Sequence, residues 1–138
     1  GQTRDYIFGY TILNDVSARD VQTAHKQWYF GKSLDGFTPI GPCIVTADAF
    51  ADYPPRLGIR SFVNGEKRQD SNTALQIFDI DHVIAELSQG MTMKAGTIIA
   101  TGTPAGVGMG MDPPQFLKPG DVVRCEIEGI GTLTNPVK

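Results

Sequence analysis

Leu57-Gly58-Ile59-Arg60-Ser61-Phe62-Val63-Asn64-Gly65-Glu66-Lys67-Arg68-Gln69 is the stretch from which the fold is read. Apolar residues alternate with others from Leu57 to Val63, the side-chain period of a half-exposed strand. Asn64-Gly65 then supplies two residues that tolerate positive φ, which a two-residue hairpin turn needs. Glu66 to Gln69 is the returning strand, and Asp70-Ser71-Asn72-Thr73 follows as a polar loop. Working outward, Asp121 to Glu128 alternates again. Val123, Cys125 and Ile127 take one side, and Arg124, Glu126 and Glu128 the other, as in an antiparallel strand with one wet face. The tight turn Leu117-Lys118-Pro119-Gly120-Asp121 precedes it, and Gly129-Ile130-Gly131 turns the chain back into Thr132 to Val137. Tyr6 to Leu13 reads as an interior strand in which Gly9 marks a bulge or a close backbone approach. Cys43 to Thr46 is a short apolar strand and Thr97 to Ala100 a buried one. The best helix is Asp81 to Gln89, with Val83, Ile84 and Leu87 at helical spacing, Asp79 or Asp81 to cap it and Gly90 to end it. His82 is assigned to packing there. The fold class is α+β, mainly β, with a few short helices, in one unit over residues 1–138.

Composition bounds the function. The hydrophobic fraction of 41% and charged fraction of 20% are ordinary for a globular protein. Fifteen acids against twelve bases give a net charge of −3, which argues against a nucleic-acid partner. No apolar stretch is long enough to span a bilayer, and no signal-peptide pattern opens the chain, so a cytoplasmic location is expected, or a mitochondrial one in a eukaryote. Cys43 and Cys125 lie far apart and form no metal or redox spacing; reduced, buried thiols are the expectation.

Polar chemistry gathers in two places. The first is Asn14-Asp15-Val16-Ser17-Ala18-Arg19-Asp20-Val21-Gln22, followed by Trp28-Tyr29-Phe30-Gly31-Lys32. Asp15 follows a strand, where a carboxylate is delivered into a cleft. Ser17 is a good N-cap for a short helix running to about Lys26, on which Arg19 and Gln22 share a face. Lys32 returns to them within a loop, Trp28 to Pro42, whose glycines, prolines and aromatics exceed what a connector needs. Spacing alone favours a helix cap with a surface ion pair. His25 reads as an exposed helix-end residue or, alternatively, a general base; Asp35 reads as part of an Asp-Gly turn. The second place is Thr101-Gly102-Thr103-Pro104-Ala105-Gly106-Val107-Gly108, glycines and hydroxyls that suit a carboxylate site. It lacks the Gly-Lys-Ser/Thr ending of a phosphate loop.

Taken together, these stretches resemble the fumarylacetoacetate hydrolase family. The matching segments are Asn14 to Gln22, Gly31-Lys32-Ser33, Val63-Asn64-Gly65-Glu66, Thr101 to Val107, Lys118-Pro119-Gly120-Asp121 and Cys125-Glu126-Ile127-Glu128. The similarity runs in order through nearly the whole chain, nearest to the fumarylacetoacetate hydrolase domain-containing proteins. It implies a β-rich roll with mixed sheets and a divalent cation, Mg²⁺ or else Mn²⁺ or Ca²⁺. The substrates it implies are small 2-oxo acids, and the assembly a homodimer. By position, Asp15 corresponds to a metal-binding aspartate. Arg19, Gln22 and Lys32 correspond to residues that bind substrate or assist catalysis, and Thr103 to a threonine that binds the substrate carboxylate. The expected activity is Mg-dependent C–C bond hydrolysis of acylpyruvates through an enolate-like transition state. The alternatives are isomerisation, tautomerisation or decarboxylation of 2-oxo dicarboxylates such as oxaloacetate, and, from another class, a non-catalytic carboxylate-binding module.

One departure stands out. The family supplies a Glu-x-Glu pair to the metal from upstream of the Asn-Asp motif, and in several members a His-Glu dyad on a lid. Here the only Glu-x-Glu is Glu126-x-Glu128. The chain is therefore read as the C-terminal portion of one such catalytic domain. A third hypothesis follows, that the chain is inert and folds only against a partner segment.

Overall fold

A computed structural model describes residues 3–24 and 26–138. The central element is an antiparallel sheet ordered β4-β3-β5-β6, built from β3 (Gly58–Val63), β4 (Glu66–Asn72), β5 (Val122–Ile127) and β6 (Gly131–Pro136). The hairpin read from the sequence is present: Val63 pairs with Glu66, and Asn64 and Gly65 take φ of 51° and 84°. Phe62 faces Arg124 across the β3–β5 ladder, and the guanidinium lies 4.2 Å from the ring centroid. A second antiparallel sheet pairs β1 (Gly9–Leu13) with β2 (Ile40–Thr46). Gly9 is a close approach, since a Cβ there would lie 2.4 Å from the Val45 carbonyl oxygen. The ladder also shifts register between Tyr10 and Ile12. Ile12, Ile130 and Leu133 form the core where the two sheets meet, with Tyr10, Val45, Phe50 and Cys125 packed around them.

Three helices complete the fold: α1 (Arg19–Ala24), α2 (Trp28–Lys32) and α3 (Ile80–Ser88). Asp79 caps α3, accepting from the His82 backbone N–H at 2.7 Å. Val83, Ile84 and Leu87 are half-buried along its inner stripe. The exposed His82 ring stacks on Phe78 at 4.6 Å.

Several expectations change. The strand of Tyr6 to Leu13 begins only at Gly9, with a 3-10 turn over Thr3–Tyr6 before it. The supposed loop Trp28 to Pro42 contains α2 and the start of β2. β4 runs on to Asn72 through the supposed polar loop, because Gly58, Ile59 and Arg60 keep pairing with it. Thr97 to Ala100 is not a strand among the described residues: no neighbour pairs with it, and Ile98 is exposed. Cys43 is exposed rather than buried, while burial pushes the Cys125 thiol up. His25 lies outside the described residues.

The accessible surface is 9620 Å², against about 7,000 Å² for a folded monomer of this mass. Among the described residues Ile12, Val123, Ile130 and Leu133 make up the buried apolar core, and Ile77 and Phe78 are 92% and 60% exposed.

One loop contact carries a pH signature. The Asp121 carboxylate accepts from Asn64 Nδ2 and from the Lys118 backbone N–H, both at 2.8 Å. These bonds, the Asn64 one foremost, hold its pKa below the ordinary aspartate value. A depressed folded pKa stabilises the protein above the unfolded value of about 4, and the contribution is lost as pH falls through the folded value. Asp121→Asn is therefore expected to flatten the acid limb of stability below about pH 4, read from urea midpoints against pH.

Candidate functional site

α1 and α2 are too short to persist by propensity alone. They hold each other instead. The Ala18 backbone N–H donates to the Gly31 carbonyl at 2.8 Å, and the Gln22 N–H to the Ala18 carbonyl at 2.9 Å. Gly31 is what lets them meet: a Cβ there would lie 2.7 Å from Gln22 N and 2.9 Å from the Ala18 carbonyl oxygen. A helical glycine ordinarily costs about 1 kcal/mol relative to alanine, and here the close approach offsets it.

This packing sets the side chains. Lys32, at the end of α2, donates to Asp15 Oδ2 at 2.5 Å and to Ser17 Oγ at 3.0 Å. Its side chain is 29% exposed and that of Asp15 is 42% exposed, so the pair sits at a rim open to water. Ser17 is not the N-cap; α1 begins at Arg19, and the Ser17 oxygen serves the lysine instead. On α1, Arg19 Nη1 donates to Gln22 Oε1 at 2.7 Å. Gln22 is only 2% exposed, so its amide orients the arginine from beneath. Asp15 with Lys32, and Arg19 with Gln22, are thus two polar pairs on one two-helix unit. Trp28, Tyr29 and Phe30 of α2 are all more than half exposed.

Thr103 belongs to a separate group. It lies in the irregular, exposed segment before a 3-10 turn at Gly108–Gly110, and Gln69 of β4 donates to its hydroxyl oxygen at 2.8 Å. No hydrogen bond or ion pair among the described residues joins it to Lys32 or Arg19. Gln69 was missed on the sequence. As one polar residue on a half-exposed strand it carried no signal of its own.

The donor set falls short of what a divalent cation needs. Among the described residues no three His, Cys, Asp or Glu side chains come together as a cation site. Asp15 offers one carboxylate, and Lys32 occupies it. A hard cation needs several oxygen ligands, so these residues do not make a metal site by themselves. Glu126 and Glu128 do not stand in for one: Glu126 pairs with Arg124, and Glu128 accepts from the Gly58 N–H. Among the described residues no helix is long and apolar enough to cross a membrane.

The model of the fumarylacetoacetate (FAA) hydrolase C-terminal family matches residues 1–138. The chain belongs to the fumarylacetoacetate hydrolase family. The oxaloacetate tautomerase YisK of Bacillus subtilis is 50% identical over 133 residues, which are 96% of this chain and 44% of that protein. The mitochondrial oxaloacetate tautomerase fahd2 of Xenopus laevis is 50% identical over 135 residues, 96% of this chain and 42% of that protein. A solved fumarylacetoacetate hydrolase from Exiguobacterium antarcticum superposes with a TM-score of 0.95 at 53% identity, covering 99% of this chain and 49% of that one. The chain thus spans less than half the length of these relatives. The family fold is shown, with its sheets dominant and its helices few and short.

Proposed function

We propose that this member of the fumarylacetoacetate hydrolase family contributes to a tautomerase that interconverts the enol and keto forms of a small 2-oxo dicarboxylate such as oxaloacetate. The supporting observation is the Lys32 ammonium, held at 2.5 Å by Asp15 on the same small unit as Arg19. The reaction breaks one C–H bond and makes one O–H bond. Negative charge develops on the 2-oxo oxygen as the carbon proton leaves. A cation aimed at that oxygen lowers the barrier more than it stabilises the neutral keto form. In this reading Lys32 donates the proton at oxygen and is recharged from water, which takes the proton from carbon. Asp15 keeps the ammonium in place and Arg19 faces the enolate. Thr103 donates to a carboxylate of the substrate. Asp15 is also the one carboxylate that these residues would offer to a Mg²⁺ ion, and no step above passes through a metal.

C–C hydrolysis of an acylpyruvate, the first expectation from the sequence, uses the same enolate but needs an activated water besides. The two oxaloacetate tautomerases at 50% identity move the weight to the alternative. The experiment is the decay of the enol ultraviolet absorbance when oxaloacetate is added to the purified protein with Mg²⁺. Tautomerisation well above the buffer rate is expected. Cleavage of an acylpyruvate with no acceleration of the enol decay overturns the reading.

A further inference from the structure

Gln69 makes three hydrogen bonds whose directions can be worked out. Its Nε2 lies 2.8 Å from the Pro104 carbonyl oxygen, an atom that only accepts. That contact fixes which end of the amide is nitrogen. The same Nε2 lies 2.8 Å from Thr103 Oγ1, so the threonine oxygen is the acceptor there. Gln69 Oε1 in turn accepts from Ser61 Oγ at 2.7 Å, from the neighbouring strand β3. A hydroxyl has one proton and two lone pairs. With a lone pair of Thr103 engaged by Gln69, its proton is left to point elsewhere, and none of the described hydrogen bonds has Thr103 Oγ1 as donor. The backbone reinforces this. Gly106 packs so tightly on β4 that a Cβ would lie 2.0 Å from the Arg68 carbonyl oxygen. The segment Thr103 to Gly106 is clamped to β4 by a side chain at one end and by backbone contact at the other.

We infer that Gln69 is a positioning residue: with Ser61 behind it, it engages a lone pair of the Thr103 hydroxyl and leaves the hydroxyl proton for a substrate carboxylate. The inference rests on the proposed tautomerase reading for the identity of the substrate, not for the geometry. Gln69→Glu keeps the shape and can still accept from Ser61, but it replaces the donor by an acceptor, which gives up the Pro104 bond and reverses the Thr103 one. Thr103 then turns its proton toward the introduced carboxylate and presents lone pairs to the substrate.

The test is a double-mutant cycle with Gln69→Glu, Thr103→Val and the double variant, using oxaloacetate turnover and, independently, calorimetric binding of malonate, an unreactive dicarboxylate. Gln69→Glu is expected to raise KM and the malonate Kd about tenfold, the scale of one lost hydrogen bond to a charged group, with kcat within about threefold. In the Thr103→Val background the same change is expected to add less than about twofold, because the hydroxyl it acts through is gone. Gln69→Met, which removes the donor without adding charge, is expected to fall between wild type and Gln69→Glu. Independent, multiplying effects of Gln69→Glu and Thr103→Val overturn the inference, as does an unchanged malonate Kd in Gln69→Glu. If wild type binds malonate and the cycle couples but oxaloacetate is not turned over, the tautomerase reading falls and the positioning role stands.

Discussion

Lys32→Met is expected to lower kcat/KM for oxaloacetate tautomerisation by about two to three orders of magnitude, the usual cost of removing one preorganised group that faces a developing oxyanion. Two effects combine. The cation at the 2-oxo oxygen is lost, and the Asp15 carboxylate that held it at 2.5 Å is left facing the same oxygen. Like charge there raises the barrier further. Lys32→Arg is expected to recover only part of the rate, because a planar fork does not replace a compact ammonium shared between Asp15 Oδ2 and Ser17 Oγ. Stability is expected to move little. The pair is partly exposed, and such pairs contribute at most about 1 kcal/mol. A large rate loss with a nearly unchanged thermal midpoint therefore separates a catalytic lysine from a structural one. Equal losses in both would reduce it to a clasp between the Asp15 segment and α2.

Gly106→Ala is expected to be strongly destabilising. At φ +108° an L side chain is strained, and the added Cβ would sit 2.0 Å from the Arg68 carbonyl oxygen and 3.1 Å from Gln69 Cγ. Backbone cannot yield as a flexible side chain can, so the segment must lift away from β4. Strain and overpacking together correspond to roughly 2–4 kcal/mol, measured as a fall in the urea midpoint at constant m. Lifting the segment also takes Thr103 and Pro104 off Gln69, so KM for oxaloacetate is expected to rise in the fraction that folds. Gly102→Ala is the matched control. Its φ is +102°, but open space surrounds it. It should show the strain without the clash and lose clearly less stability. Equal losses at the two glycines would mean that contact with β4 contributes nothing.

How much of this was legible depended on whether the cause was local. Asn64-Gly65 declared the hairpin because the turn angles select those residues in any context. Asp79 and the stripe of α3 were visible for the same reason. Gln69 was not, since its role arises only when β4 brings it beneath Thr103 and Pro104. α2 was hidden too: Trp28, Tyr29, Phe30 and Gly31 are poor helix formers, and the turn exists because Gly31 fits against Ala18 and Gln22. Thr97 to Ala100 misled in the opposite sense. Its composition suits a buried strand, but composition cannot supply a partner, and none of the described strands pairs with it. Of the site, Asp15, Arg19, Gln22 and Lys32 were found by their density along the chain. Their division into two pairs, and the separate footing of Thr103, needed the fold.

The open surface has a thermodynamic counterpart. The heat-capacity step on unfolding and the sensitivity to denaturant both grow with the area newly wetted when a chain opens. A chain that keeps 9620 Å² wet while folded exposes about 12,000 Å² more on unfolding, against about 14,600 Å² for a compact monomer of its mass. Its heat-capacity step is expected to be smaller by roughly a fifth, and its stability curve against temperature somewhat flatter, than for a compact monomer. Any surface that comes to cover Ile77, Phe78 and their neighbours would therefore do more than raise the midpoint. It would enlarge the heat capacity change, so calorimetry would register the covering as added curvature of the stability curve as well as added strength.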